Sequence, residues 1–289
     1  MSLNKNKGEQ MKHFELNRQT KDGLNLYVQG WEPDQKSKAV VALIHGFGEH
    51  TGRYVHVGEA FNKAGYALVG FDLRGHGKSG GARGHTPSYD ALMDDIADFL
   101  LWTEKRYPSA PRFLYGHSMG GNLVLNFSLR RKPDVVGVIV TDPWLKLAFD
   151  PPALQLTLGK LMNTIAPGFT QKSTLDTTAL SHDQKIVDAY NNDPLVHSKI
   201  SARLFISIYE SGLWALDHAG EFSLPLLLMH GTDDRIISFA ASAEFAKRAG
   251  KSVTWKPWDG MYHEIHNEPE KAEVINYAIQ WMDNHLKTR

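Results

Sequence analysis

The chain has 289 residues, of which 42% are hydrophobic and 22% charged, a composition that excludes intrinsically disordered and fibrous proteins. Lysine plus arginine and aspartate plus glutamate each number 32, so no net charge attracts the chain to nucleic acid, and no nucleic-acid partner is predicted. The absence of cysteine excludes disulfides, thiolate nucleophiles and thiolate metal sites.

The sequence shows no apolar stretch typical of a membrane span or of a secretory signal. No apolar run approaches the roughly 18 residues that indicate a membrane-spanning helix. The polar amino terminus, MSLNKNKGEQ, lacks the apolar stretch of a secretory signal. We therefore predict a cytoplasmic protein whose residues 1–11 form a flexible tail.

Short aliphatic and β-branched runs alternate with longer amphipathic segments along the chain. The turn Lys21-Asp22-Gly23 between the first two runs predicts an antiparallel hairpin. Later strands separated by helices predict an α/β fold, with a mainly parallel sheet covered on both faces. The predicted strands are 14–17, 24–31, 39–44, 66–71, 112–115, 135–141, 226–230 and 252–258, and the predicted helices are 54–64, 89–106, 119–131, 239–249 and 270–286.

Residues 142–225 interrupt this alternation. The interval is far longer than the roughly dozen residues that a parallel crossover requires. Because it carries an apolar stripe at helical spacing, we predict a structured cap rather than a loop. The core is then predicted to comprise residues 12–141 and 226–289. The stripe consists of Leu154, Leu158, Leu161, Met162 and Ile165.

A glycine-rich turn follows the predicted strand at 112–115 and precedes an amphipathic run. It reads Gly116-His117-Ser118-Met119-Gly120, a G-x-S-x-G motif in the strand–turn–helix context of a nucleophile elbow. Glycines tolerate the sharp turn, and the first amides of the following helix offer partial positive charge to an anion. The motif predicts Ser118 as a nucleophile.

A second glycine-flanked turn, His45-Gly46-Phe47-Gly48, follows the predicted strand at 39–44. Such a turn can aim a backbone N–H at the carbonyl oxygen of a substrate. The other donor in this type of site is the amide directly after the nucleophile. We therefore predict an oxyanion hole formed by the amides of Phe47 and Met119.

An acid and a base are needed to activate a serine, and both follow predicted strands. Asp233 and Asp234 come directly after the strand at 226–230, and His263 lies in a loop after the last strand. The order serine, aspartate, histidine is the order found in α/β-hydrolases. We predict His263 as the base and an aspartate of this pair as its partner.

These residues also allow other interpretations. Asp142, also at a strand end, is an alternative acid, and His266 is an alternative base. The run from Gly75 to Gly80 matches G-x-G-x-x-G, but no helix follows it as a dinucleotide site requires. His263, Glu264 and His266 lack the H-E-x-x-H spacing of a helical zinc site. No metal and no cofactor are predicted.

Five sequence blocks resemble the monoacylglycerol lipase and lysophospholipase branch of the α/β-hydrolases, a serine aminopeptidase S33-like family. The resemblance extends from about Leu24 to the last helix. The cap diverges most outside its one matching block. The blocks are 45–54 (HGFGEHTGRY), 72–81 (DLRGHGKSGG), 116–121 (GHSMGG), 190–195 (YNNDPL) and 262–264 (YHE).

The resemblance implies a fold, a triad and a reaction. The fold is an eight-stranded, mostly parallel sheet flanked by helices, with an inserted helical cap over an acyl pocket. The triad is Ser118, Asp234 and His263, with Asp234 preferred because it directly precedes Arg235-Ile236. The reaction is hydrolysis of a small-molecule lipid ester, a monoacylglycerol, to fatty acid and glycerol through an acyl-enzyme.

The substrate is expected to contact apolar cap residues, with polar groups near the scissile bond. Surplus apolar surface on the cap leads us to hypothesise peripheral membrane contact. The alternatives are a lysophospholipase, a short- or medium-chain carboxylesterase, and a hydrolase-fold binding protein without turnover. Oligomeric state is not predicted. The candidate substrate contacts are His117, Tyr190, Leu154, Leu158, Met162 and Trp214.

Overall fold

The computed structural model describes residues 11–287, so the predicted tail lies outside the described residues except for Met11. The described chain forms one large sheet, one small sheet and helices around them. The strands are β1 Lys12–Gln19, β2 Asn25–Glu32, β3 Val40–Ile44, β4 Ala67–Phe71, β5 Arg112–His117, β6 Gly137–Thr141, β7 Thr170–Lys172, β8 Lys199–Ser201, β9 Leu226–Gly231 and β10 Val253–Trp258.

The helices include three with the predicted bounds, Tyr89–Arg106, Met119–Arg131 and Phe239–Ala249. Within residues 11–287, no helix is both long enough and apolar enough to span a bilayer. The α-helices are α1 Val55–Lys63, α2 Tyr89–Arg106, α3 Met119–Arg131, α4 Ala153–Ile165, α5 Gln184–Asn192, α6 Ala202–Asp217, α7 Phe239–Ala249 and α8 Lys271–Lys287.

The large sheet has eight strands in the order β1-β2-β4-β3-β5-β6-β9-β10. Strand β2 pairs antiparallel with both β1 and β4, and the remaining neighbours are parallel. The predicted hairpin and the predicted mainly parallel α/β sheet are therefore confirmed. The carboxyl ends of β5, β6, β9 and β10 meet at one edge, so the loops that follow them lie together.

Helices cover both faces of the sheet, which explains why the central strand β3 is apolar at every position. In β3, Val40, Ala42 and Ile44 pack on the side of α2, α3 and α7. Val41 and Leu43 of the same strand pack on the opposite side, with α1 and α8. Alternate side chains thus enter two separate apolar layers, and all five residues of β3 are buried.

Residues 142–225, between β6 and β9, contain α4, α5, α6 and the small antiparallel pair β7–β8. The β7–β8 pair was not predicted, because each strand has only three residues and its partner is remote in sequence. Buried asparagines of α3 hold this segment to the core: the Asn122 side chain donates to the carbonyls of Trp144 and Ile208, at 2.8 and 3.1 Å. The N–H of Trp144 donates to the carbonyl of Ser118, so the segment begins beside the turn between β5 and α3.

Candidate active site

Ser118 lies in the sharp turn between β5 and α3. Its backbone has φ 53° and ψ −116°, in the region that non-glycine residues rarely adopt. The turn requires glycine at its flanking positions, because a side chain there would collide with backbone atoms. A Cβ on Gly116 would lie 2.4 Å from the carbonyl oxygen of Gly120. A Cβ on Gly120 would lie 2.0 Å from the carbonyl oxygen of Ile44. The strained turn presents the Ser118 hydroxyl at the carboxyl edge of the sheet.

A continuous chain of hydrogen bonds joins Ser118 to a carboxylate. The Ser118 Oγ lies 2.9 Å from Nε2 of His263, and Nδ1 of His263 lies 2.7 Å from Oδ2 of Asp234. All three residues are buried. The structure thus brings together the three residues that the sequence analysis assigned to the triad.

Of the two adjacent aspartates, Asp234 faces the histidine and Asp233 is exposed. The Oδ1 atom of Asp234 accepts hydrogen bonds from the backbone N–H groups of Ile236 and Ile237, at 2.8 and 3.0 Å. Its Oδ2 atom also lies 3.1 Å from Nε2 of His230. These contacts hold the Asp234 carboxylate in one orientation.

Electrostatics within the site favour an ionised Asp234. Burial opposes the charge, but His263 and the hydrogen bonds from His230 and His263 lower the pKa of Asp234 below its ordinary value. Burial alone would lower the pKa of His263, but the Asp234 carboxylate raises it above the ordinary histidine value. The pair therefore stabilises a protonated imidazole, the species formed when a base takes a proton from serine.

The loop that carries His263 is held by the segment between β6 and β9. The backbone N–H of Glu264 donates to the carbonyl of Leu180 at 2.8 Å. The fully buried carboxylate of Glu268 accepts from the N–H groups of Tyr262 and His182, at 2.7 and 3.0 Å. Sequence reasoning missed Glu268, because nothing local shows that residues 180–182 reach this loop.

The alternative base, His266, does not reach Ser118. Its ring is buried and stacks on Tyr54, with the centroids 4.9 Å apart. His117, a candidate substrate contact, lies with its ring centroid 4.9 Å from that of His263. Burial and the neighbouring His263 lower the pKa of His117 to about 4, so this ring is neutral at pH 7.

The turn that carries Phe47 lies beside Ser118. A Cβ on Gly46 would be 3.3 Å from the Cβ of Ser118, so the two turns are in close contact. The Oε1 atom of the buried Glu49 accepts from the N–H of Gly46 at 2.6 Å and from the hydroxyl of Tyr54 at 2.8 Å. Glu49, which sequence reasoning did not single out, therefore positions the turn that carries one proposed oxyanion donor.

A cavity of about 520 Å³ opens beside Ser118 and His263. Its polar end is formed by Ser118, His263, Glu49, Glu264 and Tyr190. The rest of its wall comes largely from apolar side chains of the segment between β6 and β9. These include Trp144, Phe149, Leu156, Leu158, Met162 and Phe205.

The candidate substrate contacts separate into two groups. His117, Tyr190, Leu158 and Met162 line the cavity.

Leu154 and Trp214 do not reach the cavity, so the structure does not place these two predicted substrate contacts in its wall. The side chain of Leu154 is 80% exposed at the start of α4. Trp214 packs elsewhere, with the Arg130 guanidinium 3.6 Å from its ring centroid and the His218 ring stacked 3.9 Å away.

The geometry predicts that a serine-directed fluorophosphonate labels Ser118. The labelling rate should fall as the pH decreases through the raised pKa of His263, because a protonated imidazole cannot accept the serine proton. The measurement is the rate of covalent labelling against pH, read by mass spectrometry. Ser118→Ala should abolish labelling, whereas Ser128→Ala, a buried serine of α3, should retain it. Labelling that persists in Ser118→Ala would contradict the assignment.

Comparison with known proteins places the chain in a family. The family Hydrolase_4, described as serine aminopeptidase, S33, matches residues 35–270. A monoacylglycerol lipase of Mycolicibacterium smegmatis is 33% identical over 266 residues, 91% of this chain and 95% of that relative. An uncharacterized abhydrolase domain-containing protein of Dictyostelium discoideum is 38% identical over 93% of this chain, which spans only 29% of that longer protein.

A solved structure agrees with these sequence relatives. The crystal structure of the Paleococcus ferrophilus monoacylglycerol lipase superimposes with a TM-score of 0.80 at 31% identity, covering 96% of this chain and 99% of that one. The family resemblance and the eight-stranded α/β-hydrolase fold expected from the sequence are both confirmed. The chain belongs to the serine aminopeptidase S33 family of α/β-hydrolases.

Proposed function

We propose that this protein is a serine hydrolase that cleaves monoacylglycerols to fatty acid and glycerol, with Ser118, His263 and Asp234 as its catalytic triad. The observation that carries the proposal is the hydrogen-bonded chain from Ser118 to Asp234 at the polar end of a large, mainly apolar cavity. The names of two similar proteins, both monoacylglycerol lipases, support the substrate class.

Acylation uses the contacts already described. The Ser118 Oγ attacks the ester carbonyl carbon while Nε2 of His263 takes the hydroxyl proton. The carbonyl oxygen becomes an oxyanion, for which the backbone N–H groups of Phe47 and Met119 are the proposed donors. Asp234 holds the proton on Nδ1 of His263 and stabilises the imidazolium. As the tetrahedral intermediate collapses, His263 gives its proton to the departing glycerol oxygen, leaving an acyl-enzyme.

Deacylation repeats the sequence with water as the nucleophile. His263 takes a proton from the water, whose oxygen attacks the acyl carbon and forms a second oxyanion. Collapse of this intermediate breaks the bond to Ser118 Oγ, which recovers its proton from His263. The fatty acid leaves, and no metal or cofactor takes part in the proposed cycle.

Charge near Ser118 favours a neutral head group over a phosphate. The side chains of Glu49 and Glu264 line the polar end, and both bind one guanidinium, that of Arg53, at 2.8 and 2.6 Å. Two carboxylates against one cation leave an excess of negative charge beside the proposed glycerol site. A phosphate placed there would be repelled, whereas glycerol hydroxyls can donate to carboxylates.

Lysophospholipid is the second candidate substrate, because two other cationic side chains lie on the cavity wall. They are Lys172 and Arg235. Lys172 is exposed, and the guanidinium of Arg235 lies 4.6 Å from the centroid of the Tyr262 ring. Neither forms one of the ion pairs around Arg53. A phosphate bound by these residues would therefore occupy a different part of the cavity from the glycerol.

A substrate panel tests this proposal. We expect kcat/KM for a monoacylglycerol to exceed that for the lysophosphatidylcholine of the same acyl chain by at least about tenfold, roughly 1.4 kcal/mol of discrimination. Release of fatty acid measures both reactions, with p-nitrophenyl esters as a general esterase control. The activity should disappear in Ser118→Ala. Faster hydrolysis of the lysophospholipid would overturn the substrate assignment, and no hydrolysis of any ester would overturn the enzyme assignment.

Two substitutions at Phe47 separate a backbone role from a side-chain role. Phe47→Pro removes the proposed N–H donor and should lower kcat by roughly 10²–10³, the usual effect of losing one oxyanion donor. Phe47→Ala keeps that donor and should retain most of the activity. Steady-state kinetics on proteins with matched melting temperatures measure the difference. Equal losses in the two variants would show that Phe47 acts through its ring.

We infer that residues 142–225 form the cap, with the core at residues 12–141 and 226–289, and that the cap contacts membrane lipid. No residue of α4 is buried, and the helix carries no acidic side chain in its first turn. Within residues 11–287, six of the eight exposed large apolar side chains lie between residues 149 and 169. Such a surface is typical of an interfacial helix. The six are Phe149, Leu154, Leu158, Leu161, Ile165 and Phe169.

Vesicle flotation tests the membrane contact. The protein should float with phosphatidylcholine vesicles that contain monoacylglycerol, and the double variant Leu161→Ser/Ile165→Ser should float several-fold less. These two residues are exposed and do not line the cavity, so hydrolysis of a soluble ester should persist. Leu101→Ser changes a comparably exposed leucine on α2 and is the control. Equal flotation of all three proteins would contradict the contact.

A further inference from the structure

A second aspartate, Asp142, lies buried behind the proposed triad. It directly follows β6 with φ 47°, a left-handed conformation that costs free energy for a residue with a Cβ. Its Oδ1 atom accepts from the N–H of Gly231 at 2.9 Å. Its Oδ2 atom has no hydrogen-bond partner among the residues that the structure describes. A strained backbone and an unpaired buried oxygen both destabilise the folded state, so a purely structural role does not explain Asp142.

Asp142 lies close to Asp234 and His263, the two residues of the proposed acid–base pair. One carboxylate oxygen of Asp142, one of Asp234 and a ring nitrogen of His263 all lie within 4.8 Å of one another. His230 connects the two carboxyl groups, because its Nε2 lies 3.1 Å from Asp234 and 3.8 Å from Asp142. Two buried carboxyl groups therefore lie against the same pair of histidines.

The two carboxyl groups cannot both be ionised at low cost. Burial raises the pKa of Asp142 well above its ordinary value, the charge of Asp234 raises it further, and the N–H of Gly231 opposes the shift. Ionisation of Asp142 is therefore disfavoured while Asp234 is charged. The titratable groups that face Asp142 are His230, Asp234, His263, Glu264, Glu268 and Tyr115.

We propose that Asp142 is a reserve acid of the active site, which stays neutral while Asp234 is ionised and takes over the stabilisation of His263 when the charge of Asp234 is lost. This inference rests on the proposed function of the triad. In the exchange Asp142 releases its proton to solvent, and its carboxylate becomes the anion next to the imidazolium. One of the two carboxyl groups is therefore ionised before and after the exchange, and the pair keeps a single negative charge.

The variant Asp234→Asn exposes this role. The asparagine keeps an oxygen for the N–H groups of Ile236 and Ile237 but removes the charge, so Asp142 loses its main like-charged neighbour. Loss of the acid from a triad that has no substitute lowers kcat by about 10⁴. We expect a smaller loss here, about 10²–10³. Adding Asp142→Asn should lower the rate at least tenfold further.

A matched control separates this effect from general damage. Asp233→Asn/Asp234→Asn removes the adjacent, exposed carboxylate and should keep the activity of Asp234→Asn. All variants are compared by circular dichroism melting, by ester hydrolysis and by the rate of fluorophosphonate labelling of Ser118. Asp142→Ser/Asp234→Asn serves if the first double variant does not fold.

The fall in labelling rate at low pH, the acid limb of the pH profile, gives a second measurement. A purely structural role of Asp142 would leave the apparent pKa of this acid limb unchanged. In Asp234→Asn, an ionised Asp142 should keep the apparent pKa of His263 above that of the double variant. Equal rates and equal acid limbs in Asp234→Asn and Asp142→Asn/Asp234→Asn would overturn the inference. If the wild type labels at Ser118 but hydrolyses no ester, the proposed function fails, while the labelling comparison still decides the role of Asp142.

Discussion

The contact between Ser118 Oγ and His263 Nε2, at 2.9 Å, is the interaction on which the site depends. The two residues are separated by 145 positions and meet because the strands before them, β5 and β10, end at the same edge of a parallel sheet. The contact also requires the left-handed backbone of Ser118, which Gly116 and Gly120 make possible. The fold thus brings Ser118 and His263 together and strains the backbone of the proposed nucleophile.

Charge in the site is arranged around a few buried carboxyl groups. Asp234 is stabilised as an anion by His230 and His263, whereas burial and that anion raise the pKa of Asp142, a few ångströms away, well above its ordinary value. Glu49 and Glu264 share Arg53 and line the proposed head-group site. Two acids whose pKa values are shifted in opposite directions, Asp142 and Asp234, therefore lie within a few ångströms of each other and of His263.

Residues 142–225 contribute more than an apolar cover. Their apolar side chains form much of the cavity wall, while Leu180 and His182 bind the loop that carries His263. A displacement of this segment would therefore disturb the proposed base, His263, as well as the proposed acyl site. The same segment exposes its apolar α4 surface to the surroundings, so the proposed membrane contact and the chemistry share one structural unit.

The sequence by itself was enough to predict the α/β class, the hairpin, the inserted segment and Ser118, since strand–turn–helix signals and apolar spacing are local. It also predicted the order of acid and base, but its residues alone left Asp142, Asp233 and Asp234 open. Only the tertiary structure placed Asp234 against His263, buried Asp142 behind it and turned Leu154 and Trp214 away from the cavity. Side-chain direction depends on packing between segments remote in sequence, which no local pattern encodes.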